Sequence, residues 1–223
     1  MVTDNMFGSP VSRLDLKRDI PYNIMRVVWS YLVKLHTQKK KARICGDGRP
    51  LRPGTKCLQK TYAACASMTG IRLLLVIVAY DNRVMMATDA INAYAQSGPL
   101  ERTTYLVVDD ANREWYYERN KILLSPGSLI ELNSSIQGHP YAGGNWQEKV
   151  NLVLSSMNWS SLKHEPCLYQ KDMGDAPDQL MCRQVDDMLF TVKTEEEYHD
   201  FNREISKEIW MKPKTNLLLP TMV

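Results

Sequence analysis

The sequence lacks the features that mark membrane proteins, disulfide-rich proteins and zinc proteins. Its longest apolar run, Leu73–Ala79, is far shorter than the roughly 20 residues that cross a bilayer, and no signal peptide is visible. The five cysteines are odd in number and have no CxxC spacing, which favours reduced thiols in an intracellular protein. His164 and Cys167 have no second ligand pair at zinc-finger spacing, so a structural zinc site is disfavoured.

An excess of charge of one sign is also missing. The chain has 28 Lys and Arg residues against 25 Asp and Glu residues, a net charge of +3, so a polyanion would have to be bound by local basic patches. No internal repeat and no low-complexity tract occurs. With 223 residues, of which 44% are apolar, the chain is long enough for one sizeable soluble domain, or for a domain with a small lobe, and for a real core.

Two adjacent carboxylates are the most informative feature that is present. In LMCRQVDDMLFTV (Leu180–Val192), two apolar runs flank Asp186 and Asp187, which predicts a β-hairpin with the acids at its tip. Adjacent carboxylates repel each other unless a counter-charge is supplied, and hard oxygen ligands of this kind suit Mg²⁺ or Mn²⁺. The alternative is an ordinary Asp-Asp turn, because Asp is common in turns.

A third carboxylate follows another predicted strand. The run VMMAT (Val84–Thr88) is short and strand-like, and Asp89 lies at its carboxyl end, where open α/β sheets tend to place ligand-binding groups. Tyr94 follows five residues later, close enough for its ring to cover whatever Asp89 binds. An aromatic residue after a strand is otherwise a core residue.

A basic hairpin is predicted nearer the amino terminus. The runs Val27–Leu35 and Lys40–Cys45 are strand-like and are separated by a polar break. Strand alternation places Lys41 and Arg43 on one face, where two cations would form a site for phosphates. The alternative is an exposed edge that its lysines keep soluble.

A glycine-rich segment lies in the second half of the chain. In IQGHPYAGG (Ile136–Gly144), three glycines and one proline leave the backbone exposed, and its free N–H groups could bind a nucleotide or phosphate. An ordinary loop is the alternative.

Three helices and several strands define the predicted fold. Met68–Tyr80 is apolar on almost all sides, which predicts a buried helix that Ser67 caps. Helical spacing of apolar residues runs from Trp146 to Met157, and a capping box at Thr194 begins a third helix. The order of elements predicts an α+β fold, with helices packed on one face of an antiparallel sheet.

The predicted boundaries divide the chain into an irregular arm (residues 1–22), one domain (23–214) and a frayed tail (215–223). Within the domain, short strands are predicted at Tyr105–Val108 and Ile122–Leu124, on either side of the polar segment DDANREWYYERN.

Six blocks of the sequence, in one order, resemble the reverse transcriptase of copia-type LTR retrotransposons. They extend from about Trp29 to about Lys214. The blocks are KKARICGDGRP, TYAACASMTGIRLLLVIVA, TDAINAY, IQGHP, HEPCLYQK and RQVDDML.

The resemblance implies a right-hand polymerase fold, in which the hairpin Val27–Cys45 belongs to the fingers and the three acids belong to the palm. Asp89, Asp186 and Asp187 are then the catalytic residues. Asp89, Ala90 and Asp186 hold two Mg²⁺ or Mn²⁺ ions, and Asp187 supports them from the adjacent position. The implied reaction is RNA-directed DNA synthesis, in which a nucleotide is transferred to a primer 3′-hydroxyl.

The resemblance also implies a nucleotide-binding set. Tyr94 matches the aromatic residue that excludes a ribose 2′-hydroxyl, whereas the basic pair faces the triphosphate and the Gln-Gly pair lines the nucleotide and template pocket. The implied nucleotide-binding residues are Lys41, Arg43, Tyr94, Gln137 and Gly138. The implied partners are an RNA or DNA template-primer, deoxynucleotides and other proteins of the retroelement, with no membrane. An intracellular location is implied, and a cytoplasmic element particle is favoured over the nucleus.

The sequence departs from the family pattern at several positions. Gln184, on the primer and template side, replaces the usual Tyr, and Ala142–Asn145 replaces the expected Ser-Pro or Arg motif. No thumb and no RNase H carboxylate set is recognised. An alternative is therefore a truncated, catalytically inactive remnant of a polyprotein that keeps the fold and at most binds nucleic acid. A nucleotide cyclase or another palm-like enzyme would need the same three acids but not the block at Gln137.

Overall fold

The structure is a computed structural model in which the chain divides into two compact units. Unit 1 comprises Met1–Tyr62 and Tyr94–Asn145, and unit 2 comprises Ala63–Ala93 and Trp146–Val223. Secondary structure is α+β, as predicted. The residues that the structure describes are 6–16, 20–35, 37–49, 61–174, 178–212 and, for the backbone alone, 215–216.

Unit 1 contains a five-stranded sheet in the order β1-β6-β5-β2-β3. Neighbouring strands are antiparallel, except that β2 and β5 are parallel. Buried Met25, Leu106 and Leu132 belong to its core. The strands are β1 (Phe7–Val11), β2 (Asn23–Val33), β3 (Lys40–Asp47), β5 (Thr104–Val107) and β6 (Leu129–Leu132).

The predicted basic hairpin is confirmed as β2 and β3. Ser30 lies opposite Arg43 and Leu32 lies opposite Lys41, so both cations are on one face, and both are exposed. The polar break between the runs includes residue 36, which lies outside the described residues.

The prediction of an irregular arm over residues 1–22 is wrong for part of that segment. Strand β1 pairs with β6, and Met6 is buried in the core of unit 1. Pro10 argues against a strand in the sequence because proline has no backbone N–H. The strand forms nevertheless, since β1 is at the edge of the sheet, where a missing N–H is tolerated. Residues 1–5 and 17–19 of the arm lie outside the described residues.

A helix that was not predicted from the sequence occupies the polar segment DDANREWYYERN. Helix α2 (Asp110–Asn120) begins after Asp109, whose side chain accepts a hydrogen bond from the Asn112 amide, and ends at Lys121 in the left-handed conformation. Its sequence has no continuous apolar stripe, which is why periodicity did not reveal it. The strand predicted at Ile122–Leu124 is absent there, and β6 follows instead.

Unit 2 contains a six-stranded antiparallel sheet in the order β11-β4-β10-β9-β8-β7. The predicted acid-tipped hairpin is confirmed as β9 and β10. The strands are β4 (Val84–Asp89), β7 (Trp159–Leu162), β8 (Glu165–Lys171), β9 (Gln179–Gln184), β10 (Asp187–Val192) and β11 (Thr215–Asn216).

Helices pack on both faces of this sheet, and not on one face as predicted. Helix α1 (Met68–Tyr80) packs through Leu74 on the face that contains Leu189. Helix α4 (Glu195–Ile205) packs its aromatic rings on Phe190, which points to the opposite face because successive strand residues alternate.

Helix α1 begins after Ser67, as predicted, since that side chain accepts a hydrogen bond from the Gly70 amide. It is not buried all round, because Val76 is 62% exposed and Tyr80 is 89% exposed. Burial is confined to one side, which the sequence could not indicate since both sides are apolar.

Helix α3 (Ala142–Ser156) covers most of the predicted run Trp146–Met157 but begins earlier, so residues 142–144 of the predicted glycine-rich loop are helical. The cap of α4 is Thr194, as predicted. Of the predicted frayed tail, residues 215–216 form β11 and residues 217–223 lie outside the described part of the chain. None of the described helices has the length and apolar character needed to span a membrane.

Candidate active site

The strand register of unit 2 brings the three predicted acids together. Asp89, the last residue of β4, lies directly opposite Asp187, the first residue of β10. One residue further, the Ala90 amide donates a 2.9 Å hydrogen bond to the carbonyl oxygen of Asp186. Residues directly opposite each other on antiparallel strands have side chains on the same face, so the carboxylates of Asp89 and Asp187 share one face at the end of the sheet.

The hairpin that carries Asp186 has a strained two-residue turn. Gln184 pairs with Asp187, which leaves Val185 and Asp186 as the turn. Val185 has a φ of 55°, a conformation that β-branched residues rarely adopt. A hydrogen bond stabilises this conformation, because the buried indole of Trp146 donates from Nε1 to the Val185 carbonyl oxygen at 2.8 Å.

A buried arginine also contacts this turn. Arg183 is 2% exposed and donates from Nη1 to the Val185 carbonyl oxygen and from Nε to the Tyr169 hydroxyl, both at 3.3 Å. Tyr169 in turn donates to Asn151 at 2.7 Å. Nη2 of Arg183 has no hydrogen-bond partner among the described residues. Sequence reasoning missed the roles of Trp146 and Arg183, since Trp146 gave only a helical-core signal and Arg183 gave none.

The carboxylates repel one another electrostatically. The pKa of Asp187 is raised, first by partial burial and then by the negative charges of Asp186 and Asp89, and nearby Lys212 opposes the shift. Asp89 Oδ1 is buried and accepts no hydrogen bond from any described residue, whereas Oδ2 contacts Nζ of Lys212. The site therefore carries uncompensated negative charge.

The donor set fits a hard divalent cation in its chemistry. Asp89 and Asp186 offer acceptor oxygens, and Ala90 offers only its backbone carbonyl oxygen, all of which are ligands that Mg²⁺ accepts. Asp89 Oδ1 is a buried acceptor without a hydrogen-bond partner among the described residues, so one acceptor of the donor set is unfilled. Across the described ranges, no three His, Cys, Asp or Glu side chains already form a cluster that could hold a metal ion, so neither the acids nor His164 and Cys167 form a closed site.

Gln184 has a partner of its own. It is exposed, and its Oε1 accepts a 2.8 Å hydrogen bond from the Ala66 amide, just before the cap of α1. Whether it also contacts a primer or template stays a prediction.

The predicted nucleotide-binding residues belong to unit 1, whereas the three acids belong to unit 2. Lys41 and Arg43 are exposed on β3, and Gln137 and Gly138 are exposed on a loop. Tyr94 is half-buried in a short 3₁₀ helix, where its carbonyl oxygen accepts hydrogen bonds from Ser97. Their predicted roles stay predictions.

The loop at Gly138 has a tightly built backbone. The Gly46 amide donates a 2.8 Å hydrogen bond to the Gln137 carbonyl oxygen, and Gly138 has a φ of 89°. A Cβ atom on Gly138 would lie 2.1 Å from the Gly46 carbonyl oxygen, so only glycine fits. The next residue, His139, is 5% exposed, and burial lowers its pKa to about 4.

Comparison with known proteins identifies the family of the chain. A family model described as reverse transcriptase (RNA-dependent DNA polymerase) matches residues 17–218. The chain belongs to this family, which acts on a nucleic-acid template-primer. A search of curated protein sequences found no significant match.

Proposed function

We propose that the chain is the fingers and palm region of a copia-type retrotransposon reverse transcriptase, an RNA-directed DNA polymerase that uses two Mg²⁺ ions. The observation that carries the proposal is the register that places Asp89 opposite Asp187 and beside Asp186, within a chain of the reverse transcriptase family. In this proposal unit 2 contains the palm, and the hairpin of β2 and β3 belongs to the fingers.

Each residue of the carboxylate site has one task. Asp89 and Asp186, with the Ala90 carbonyl oxygen, hold the cations, and Asp187 adds negative charge beside them. The bound ions would activate the primer 3′-hydroxyl and bind the phosphates of the incoming nucleotide.

The residues of unit 1 act on the nucleotide. Lys41 and Arg43 bind the triphosphate, because a guanidinium group binds phosphate in a bidentate manner and an ammonium group binds it as a point charge. The ring of Tyr94 excludes a ribose 2′-hydroxyl, and Gln137 and Gly138 line the pocket.

A catalytically inactive remnant that keeps the fold is the second candidate. The ion pair between Lys212 and Asp89 favours it, since one carboxylate oxygen is already engaged by a cation of the chain itself.

Primer extension on an RNA template in Mg²⁺ separates the two candidates. We expect extension by the unaltered chain and a loss of at least about 100-fold in Asp186→Asn, because metal-ion catalysis contributes several kcal/mol. The matched control is Asp200→Asn, which alters an exposed acid on α4 that pairs only with Arg203 among the described residues. Extension that survives Asp186→Asn, or no extension by any form, contradicts the polymerase proposal.

A further inference from the structure

The segment that follows α4 forms a backbone ladder beside the end of β4. The Ile91 amide donates to the Trp210 carbonyl oxygen and the Lys212 amide donates to the Asp89 carbonyl oxygen, both at 2.8 Å, around an antiparallel bridge between Ala90 and Met211. This pairing places Lys212 directly opposite Asp89. The backbone pairing therefore positions the side chain of Lys212 next to the carboxylate of Asp89.

Lys212, Asp89 and Asp187 form a row across three neighbouring chain segments. Asp89 lies opposite Asp187 on one side and opposite Lys212 on the other, so all three side chains lie on the same face of the sheet. Nζ of Lys212 contacts Asp89 Oδ2, while Oδ1 accepts no hydrogen bond from the described residues. One cation of the chain thus offsets part of the charge of three acids.

The lysine is held loosely enough to leave. Its side chain is 52% exposed, against 26% for that of Asp89, and an exposed ion pair of this kind is weak. An ammonium group on a flexible four-carbon stem can move into solvent at little cost. A divalent cation carries twice the charge and can bind both carboxylate oxygens.

We propose that Lys212 is an internal counter-ion, which occupies Asp89 when no metal is bound and is displaced from it by a divalent cation. The inference rests on the proposed function, because it assumes that Asp89 is a metal ligand.

Mn²⁺ binding by the full chain, followed from the electron paramagnetic resonance signal of the free ion, tests the displacement. We expect Lys212→Met to bind Mn²⁺ about two- to fivefold more tightly than the unaltered chain, the range appropriate to a competing ion pair this exposed. Lys212→Arg keeps the cation and should bind close to the unaltered affinity.

Lys207→Met is the control for net charge, since it removes the same charge from an exposed residue five positions earlier. It should leave Mn²⁺ affinity unchanged. An affinity of Lys212→Met that equals or falls below that of Lys207→Met overturns the displacement.

Urea unfolding in EDTA tests the ion pair without any metal. Lys212→Met should lower the urea midpoint of the unaltered chain by more than it lowers that of Asp89→Asn, because the second background lacks the carboxylate that Lys212 contacts directly and keeps only the electrostatic interaction of Lys212 with Asp187. Equal shifts in the two backgrounds overturn the ion pair, and this result does not depend on metal binding.

The two proposals fail in different ways. If the Mn²⁺ affinities follow the expected order but no form extends a primer, the polymerase proposal fails and the counter-ion proposal stands. If neither the unaltered chain nor Lys212→Met binds Mn²⁺, the displacement is overturned together with the metal-binding role of Asp89.

Discussion

At Gly138, in unit 1, the surrounding structure permits only glycine. Two constraints act on it. Its φ of 89° disfavours any residue with a Cβ atom, and the Gly46 carbonyl oxygen occupies the space that the Cβ atom would need. Gly98 shares the first constraint, with a φ of 87°, but its Cβ position has nothing within 4 Å.

We expect Gly138→Ala to lower the free energy of unfolding by at least about 3 kcal/mol, because the backbone must move to relieve the contact. Urea unfolding followed by circular dichroism measures the change.

The matched control is Gly98→Ala, which should cost about 1–2 kcal/mol because only the left-handed conformation is penalised. Equal costs for the two substitutions would show that the contact with Gly46 is not close enough to matter.

At the scale of the element, the hairpin of β9 and β10 depends on a partner from another element. Its turn holds Val185 at a φ of 55°, and Trp146 of α3 donates to the carbonyl oxygen of that residue. Trp159 provides a comparison, since it is equally buried but its Nε1 has no hydrogen-bond partner among the described residues.

Trp146→Phe keeps an aromatic ring in place but removes the hydrogen bond to the turn. We expect it to destabilise the chain by about 1 kcal/mol more than Trp159→Phe, because only the first substitution removes a bond that is made. Thermal and urea unfolding of the two variants give the difference.

Primer extension adds a second comparison, since a looser turn places Asp186 less accurately. Under the proposed function, Trp146→Phe should therefore extend primers more slowly than Trp159→Phe. If Trp146→Phe and Trp159→Phe have equal stability and equal extension rates, the Trp146 hydrogen bond does not stabilise the hairpin.

At the scale of the whole molecule, a buried imidazole links stability to pH. His139 has a pKa of about 4 in the folded chain against 6.5 ordinarily, and its Nδ1 accepts a hydrogen bond from the Tyr141 amide. Between these two values the unfolded chain binds more protons than the folded chain. Stability therefore falls as the pH is lowered through this window and is fully regained above the upper value.

We expect His139 alone to remove up to about 3 kcal/mol of stability between pH 6.5 and pH 4, since each pKa unit corresponds to about 1.4 kcal/mol. His139→Asn keeps an acceptor for the Tyr141 amide and should flatten the dependence of the unfolding free energy on pH over that range.

The control is His164→Asn, which replaces an exposed histidine and should keep the pH dependence of the unaltered chain. A profile for His139→Asn that is as steep as this control would show that other groups cause the acid sensitivity.

The sequence by itself determined the local features of this protein. Ser67 and Thr194 predicted two helix starts, and strand-like runs predicted the basic hairpin and the acid-tipped hairpin. Six collinear blocks indicated a reverse transcriptase, and the match over residues 17–218 established that family. These signals are readable because caps, turns and strand alternation depend on residues only a few positions apart.

Only the tertiary structure decided how distant residues meet. The register that sets Lys212 opposite Asp89, the indole that holds Val185 and the amide of Ala66 that binds Gln184 all join segments far apart in the chain. Tertiary packing also buried one side of α1, which is apolar on almost all sides, and left the other side exposed. Such contacts follow from the pairing of whole strands and the packing of whole helices, which no short stretch of sequence specifies.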